Sequence, residues 1–327
     1  MGSRERVRAS LLTAAVILAV ATLGGVDVHA NQRTLTPSAP MTPAIGEISP
    51  ALSLVRGSNI EPSGAVTLAP IPSIARDVSQ VALTVGALIG SSGGVAGVTV
   101  VELGGAAPVS WSVNGDQIFT AASTYKLAAL MLEADNIAAG KTDANGTVCF
   151  EADDYESGWF DDYADGVCFT RNELGMRAGI YSDNTAGHML VRDVGGAEVL
   201  NAWAASIGAT SSQFFDPNTT TPADLAALWV AEANGELGGV EAQSWLYPML
   251  TRTRTESGVP AGLIGATVVH KTGTIDLVEN DAALVTSGPD GGYIVVVMTD
   301  GIGGAAGWQL IAQVSAAIWQ FEGARSD

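Results

Sequence analysis

The run GATVVHKTGTI, residues 265–275, has the length and β-branched content of a strand. DAALVTS (281–287) and GYIVVVMTDG (292–301) follow it as two further strands. GAAGWQLIAQVSAAIWQFEGA (304–324) then closes the chain as an amphipathic helix. Working outward, PSIARDVSQVALTVGALIG (72–90) places Ile74, Val78, Val81 and Val85 on one helical face. VAGVTVVEL (95–103) and PVSWSVNG (108–115) alternate as two strands, joined as a hairpin by GGAA (104–107). STYKLAALMLEADNIAAG (123–140) reads as a helix that begins at Ser123 and ends before Gly140. Residues 141–240 are mostly helical with loops. A helix and two strands, a helical middle, then three strands and a helix predict a sheet built from both chain ends. The expected class is α/β (α+β): an antiparallel sheet flanked by helices, plus an all-helical lobe. The sheet lobe is expected at about 73–125 and 241–327, and the helical lobe at about 126–240.

The bulk numbers narrow the function. The chain has 327 residues, 47% of them hydrophobic, and a net charge of −19. An acidic surface repels phosphate, so no nucleic-acid partner is expected. Arg4, Arg6 and Arg8 precede the apolar run LLTAAVILAVATLGGV (11–26), and VHA (28–30) offers small residues for cleavage. Residues 1–30 therefore read as a signal peptide, with an uncleaved anchor as the alternative. Residues 31–72, with seven prolines, read as a linker. An extracytoplasmic, secreted protein without stable membrane insertion after cleavage is expected, as a monomer. In an exported chain, Cys149 and Cys168 are expected to form a disulfide. So few His and Cys ligands predict no metal, and no cofactor is implied.

Lysine occurs only at Lys126, Lys141 and Lys271, so each requires an account. Ser123 and Lys126 are three residues apart on a helix, which brings their side chains to one face. A hydroxyl becomes a good nucleophile only with a base in reach, and a helix N-terminus favours the negative charge that develops. Alone, this spacing equally describes a helix cap followed by a surface lysine. Two further motifs change the reading: Ser182-Asp183-Asn184 within YSDNTAGHML (181–190), and Lys271-Thr272-Gly273 on the strand above. In this order, S-x-x-K, S-D-N and K-T-G resemble the class A β-lactamases and penicillin-binding proteins, a set that the general motif rules already describe for that family. The likeness covers roughly residues 73–327, and NTTTPADLAALW (218–229) resembles the stretch after the family's active-site loop.

The resemblance implies roles. Ser123 would accept the acyl group, and Lys126 would orient or deprotonate it, with Lys271 and burial lowering its pKa. Ser182 would pass a proton to the leaving nitrogen, and Asn184 would hold the substrate's side-chain amide. Lys271 and Thr272 would bind its carboxylate, and Gly273 would keep the strand open to a close ligand. The N–H groups of Ser123 and Thr274 would form the oxyanion hole. Asp183 reads as a structural turn residue. The substrate would be a small-molecule β-lactam or a cell-wall peptide.

One element is missing. Hydrolytic class A members carry Glu-x-x-x-Asn between the second and third motifs, and its Glu activates the deacylating water. The corresponding ASIGATSSQFFDPNTTTP (205–222) has no Glu. Glu198 and Asn201 lie earlier in a helix at the wrong spacing, and Asp216 reads as a turn residue before Pro217. Three readings stay open: a serine hydrolase using Lys126, Ser182 or Asp216 instead, a penicillin-binding peptidase-like protein that deacylates slowly, or a binder of wall peptides.

Between the cysteines, FEADDYESGWFDDYADGV (150–167) has seven acidic residues. Tyr155 and Trp159 are possible rim residues of the cleft; the alternative is a solvated loop with its aromatics packed inward. The loop is no EF-hand, because Tyr163 occupies a ligand position. Arg252 and Arg254, in TRTRTESGVP (251–260), read as surface residues, with carboxylate binding as the alternative. His188 reads as structural, and His270 is expected to face away from Lys271. No G-x-S-x-G elbow lies between a strand and a helix, since GSSGG (90–94) follows a helix and precedes a strand, so a Ser-His-Asp hydrolase is unsupported.

Overall fold

The computed structural model describes residues 77–325 apart from Ala106. The expected signal peptide, linker and Ile74 lie outside the described residues. Helix α1 (Val78–Ser91) starts at Asp77, whose carboxylate accepts from the Ser79 N–H, and it buries Val81, Val85 and Ile89. Strands β1 (Val95–Glu102) and β2 (Ser110–Val113) form the expected antiparallel hairpin, with Val100 opposite Trp111. The short strand β3 (Phe119–Thr120) leads through a 3-10 turn at Ala122–Thr124 into α2 (Tyr125–Ala138). Every residue of α2 from Tyr125 to Ala134 is buried, the signature of a helix packed all round.

The pair β4 (Thr147–Cys149) and β5 (Cys168–Thr170) sets Cys149 opposite Cys168, and the two form a disulfide. Helices α3 (Arg171–Ile180), α4 (Asn184–Asp193) and α5 (Ala197–Ile207) follow. Strand β6 (Thr219–Thr220) pairs with β3 and precedes α6 (Pro222–Ala233), which Thr221 caps and Pro222 opens. Helix α7 (Gly239–Met249) packs on α2 and α3. Strands β7 (Val268–Ile275), β8 (Val278–Gly288) and β9 (Gly291–Asp300) precede the closing helix α8 (Gly304–Arg325).

The five long strands form one antiparallel sheet in the order β2-β1-β9-β8-β7. The two chain ends therefore meet at β1 and β9, as the alternation predicted. Strand β9 reads as one apolar run because both of its faces are buried. Val295 and Val297 join a core with α1 and α8, whereas Ile294, Val296 and Met298 join a second core with α2, α4 and α6. Each such side chain contributes about 1.5–3 kcal/mol when fully buried. Strand β7 lies at the sheet edge and contacts the 3-10 turn before α2. That contact brings the first and third motifs together.

Candidate active site

The turn that carries Ser123 is held in an unusual conformation from three sides. Ala122 adopts φ +48°, which a residue with a Cβ rarely does without support. Asn218 supplies part of it: its carbonyl accepts from the Ala121 N–H at 2.9 Å, and its Nδ2 donates to the Ala122 carbonyl at 3.1 Å. From β8, Asn280 Nδ2 donates to the Thr120 carbonyl at 2.9 Å and to that of Ala121 at 3.2 Å. On β7, a Cβ at Gly273 would lie 2.7 Å from the Ala121 carbonyl oxygen and 3.1 Å from the Ser123 nitrogen. Gly273 is thus required by the approach of this turn, a different reason from the close ligand that the sequence suggested.

Lys126 is fully buried, and its Nζ reaches the Ser182 carbonyl at 2.6 Å, Asn184 Oδ1 at 2.7 Å and Ser123 Oγ at 3.1 Å. The first two partners can only accept. A neutral amine would spend both of its hydrogens on them and leave its lone pair for the Ser123 hydroxyl. Burial lowers the Lys126 pKa to about 7, against the opposing attraction of Asp183 and Glu156. The amine is then substantially neutral at neutral pH, as a base for Ser123 must be.

The second and third motifs meet over the same spot. Lys271 is also buried, and its Nζ donates to Ser182 Oγ at 2.9 Å and to the Thr272 carbonyl at 2.8 Å. Burial, and then the charge of Lys126, holds its pKa well below the ordinary lysine value. Ser182 therefore links the two lysines, one through its carbonyl and one through its hydroxyl. Asp183 caps α4 by accepting from the Ala186 N–H at 3.0 Å, and it also accepts from the Trp159 N–H and the Tyr163 hydroxyl. Asn184 Nδ2 donates to Glu156 Oε1 at 2.8 Å and to the Ser157 carbonyl at 3.4 Å.

Two cavities open on Ser123. One, of about 250 Å3, is lined by Ser182, Thr253, Arg254, Thr272, Thr274 and Trp159, among others. The other, of about 540 Å3, is lined by Glu156, Asn184, His188, Phe215, Asn218 and Thr274, among others. Trp159 is 58% exposed at the rim, under the Arg254 guanidinium at 4.7 Å. Tyr155 is 60% exposed and lines neither cavity. Phe160, Tyr163 and Phe169 pack around the Arg177 guanidinium, so the acidic segment is divided between rim and interior.

A profile described as the β-lactamase enzyme family matches residues 80–321. The chain belongs to this family. The β-lactamase AST-1 of Nocardia asteroides is 30% identical over 211 residues, covering 56% of this chain and 64% of that relative's length. The solved structure of PBP-A has a TM-score of 0.69 at 28% identity, covering 74% of this chain and 96% of PBP-A. A point mutant of PBP-A, solved as an acyl-enzyme complex with penicillin G, gives 0.70 at 29%, covering 74% and 96%. A β-lactamase from Sphaerobacter thermophilus DSM 20745 gives 0.68 at 27%, covering 76% and 97%.

Within this family fold, several residues take places that the sequence did not reveal. Arg252 and Arg254 are both exposed, as surface residues, and Arg254 also lines the smaller cavity, whereas Arg252 lines neither. The Arg254 N–H donates to the Ile180 carbonyl, a tie across 74 positions that no local pattern shows. His188 lines the larger cavity, and its Nε2 lies 3.1 Å from Glu156 Oε2. His270 does face away from Lys271, toward the buried Asp281 at 2.9 Å and the exposed Glu256 at 3.1 Å. Glu198 is exposed on α5. Asn201 bonds both the N–H and the carbonyl of Phe214, fixing the loop from outside the cleft. Asp216 is exposed and lines neither cavity.

Proposed function

We propose that the chain is an exported serine hydrolase that attacks a β-lactam or peptide amide and forms an acyl-enzyme at Ser123. The observation that carries this reading is the set of three partners around Lys126 Nζ, which leaves its lone pair for the Ser123 hydroxyl. Lys126 takes the hydroxyl proton as Oγ attacks the carbonyl carbon. Ser182 Oγ, bonded to Lys271 Nζ, delivers a proton to the leaving nitrogen and takes in return the proton that Lys126 accepted, which leaves Lys126 neutral. The N–H groups of Ser123 and Thr274 hold the oxyanion. The substrate carboxylate enters the smaller cavity, where Thr272 and Arg254 line the wall, with Lys271 behind Ser182. Export rests on the N-terminal sequence, and the cysteine pair fits an oxidising compartment.

A second reading is a penicillin-binding, peptidase-like protein that acylates and deacylates slowly. The glutamate-free stretch 205–222 and the likeness to PBP-A favour it. Mixing the protein with a chromogenic cephalosporin and a fluorescent penicillin, and following colour and covalent mass together, separates the two. Catalytic colour release supports the hydrolase. A stoichiometric Ser123 adduct without turnover supports the peptidase-like reading. Neither signal removes β-lactams from the substrate class.

A further inference from the structure

We infer that Glu156 is the general base for the water that frees the acyl group from Ser123, with His188 orienting its carboxylate. This inference rests on the acyl-enzyme reading above. Hydrolysis of an ester at neutral pH needs a group that takes a proton from water as the water attacks, placed within hydrogen-bond reach of that water. Among the described residues, Glu156 is the one carboxylate that lines either cavity opening on Ser123. Its cavity, of about 540 Å3, has room for several waters at roughly 30 Å3 each.

The carboxylate is held on both oxygens. Oε1 accepts from Asn184 Nδ2 at 2.8 Å, and Oε2 lies 3.1 Å from His188 Nε2. Both ring nitrogens of His188 face acceptors, Nδ1 the Asp154 carbonyl at 3.1 Å and Nε2 the carboxylate, so the ring bridges the two when each nitrogen carries a hydrogen. The backbone of Glu156 is fixed as well: its N–H donates to Thr185 Oγ1 at 3.1 Å, and its carbonyl accepts from that hydroxyl at 2.8 Å. Each carboxylate oxygen keeps a second lone pair for a water in the cavity. Through Asn184 and Lys126, the same chain of hydrogen bonds ends on Ser123 Oγ. Asp216, the carboxylate that the sequence offered for this task, lies outside both linings, and the neighbouring Phe215 ring packs 4.9 Å from His188 and 5.6 Å from Tyr125.

In the step, a water proton passes to Glu156 while the water oxygen bonds the acyl carbon. The bond from that carbon to Ser123 Oγ breaks, and its electron pair returns to Oγ. Glu156 hands its proton back through the water of the cavity and the neutral Lys126 amine to Oγ, so the carboxylate and the amine both end the step as they began. The product leaves as a carboxylic acid.

The test follows acylation and deacylation separately, by time-resolved intact mass of the full chain with a penicillin. Glu156→Gln is expected to acylate within about threefold of the parent and to lose the adduct about 100-fold more slowly, the usual scale for a general base. Glu156→Ala should behave alike and regain deacylation with added formate, a rescue that a purely structural role would not give. Parent-rate deacylation in Glu156→Gln overturns the inference, and so does a parent adduct that never hydrolyses. Absence of any Ser123 adduct in the parent overturns the acyl-enzyme reading itself, which is a separate result.

Discussion

The two cavities that share Ser123 differ in charge and in how they are built. The smaller has Arg254 in its wall and Lys271 behind Ser182, and no carboxylate among its lining residues. The larger carries Glu156 and His188, and neither lysine nor arginine lines it. The cationic side is assembled from β7 and the segment 251–258, the anionic side from the disulfide-closed segment and α4. On the proposed reading, Ser123 faces a wall suited to a substrate anion and a wall suited to activating water. The two half-reactions should therefore respond to separate substitutions.

The strongest way to break this comparison is at the shared atom. Ser123→Ala should abolish the adduct and lower any hydrolysis by about 10^4 or more, with an unchanged circular dichroism spectrum. Normal turnover would refute the assignment. Lys126→Met should slow acylation by about 10^2–10^4. The folded-state pKa of Lys126, about 7, lies below the ordinary 10.5, so the folded state disfavours a proton that the unfolded chain keeps. The variant should therefore also melt at a higher temperature at pH 7, which scanning calorimetry checks. In the parent, acylation should rise with pH through about 7 as the amine deprotonates; a flat profile would remove Lys126 as the base.

A smaller effect sharpens the contrast between the walls. Arg254→Ala should weaken the second-order acylation constant for carboxylate-bearing substrates about tenfold, the scale of one charge-assisted bond, and leave deacylation unchanged. Slower deacylation in this variant would show that the walls are not independent. The smallest effect concerns stability alone. Burial opposes the charge on His270, but Asp281 and Glu256 outweigh it and raise its pKa from 6.5 to about 9. This contribution is complete below pH 6.5 and is lost as pH rises through about 9. Glu256 is shifted the other way: burial raises its pKa, but His270 outweighs that and lowers it, so its share holds above pH 4.5 and is lost on acidification. The melting temperature of the parent relative to His270→Gln should thus fall between pH 6.5 and 9.

The sheet was legible because β9 and its neighbours carry their burial in their own composition. The three motifs were legible because lysine is scarce and each motif spans at most four consecutive residues, even though Ser182 lies outside any regular element at φ +57°. The walls were harder to read. Arg254 lies in an irregular segment whose position depends on a backbone bond to Ile180. Glu156 is one of seven acids in a run that looks uniformly solvated, and only folding against α4 selects it. Asn218 reads as a loop residue before a helix, yet its side chain braces the turn that carries Ser123 from 96 positions away. In each case the deciding partner is remote, so neither periodicity nor spacing exposes it.

The scarcity of lysine has a practical side. Lys126 and Lys271 are sealed inside the protein, whereas Lys141 is exposed just beyond α2. Among the three lysines, amine-directed reagents should therefore mark the folded chain at Lys141. A dye or surface tether can be attached there without touching the cleft, and labelling of Lys126 or Lys271 reports unfolding.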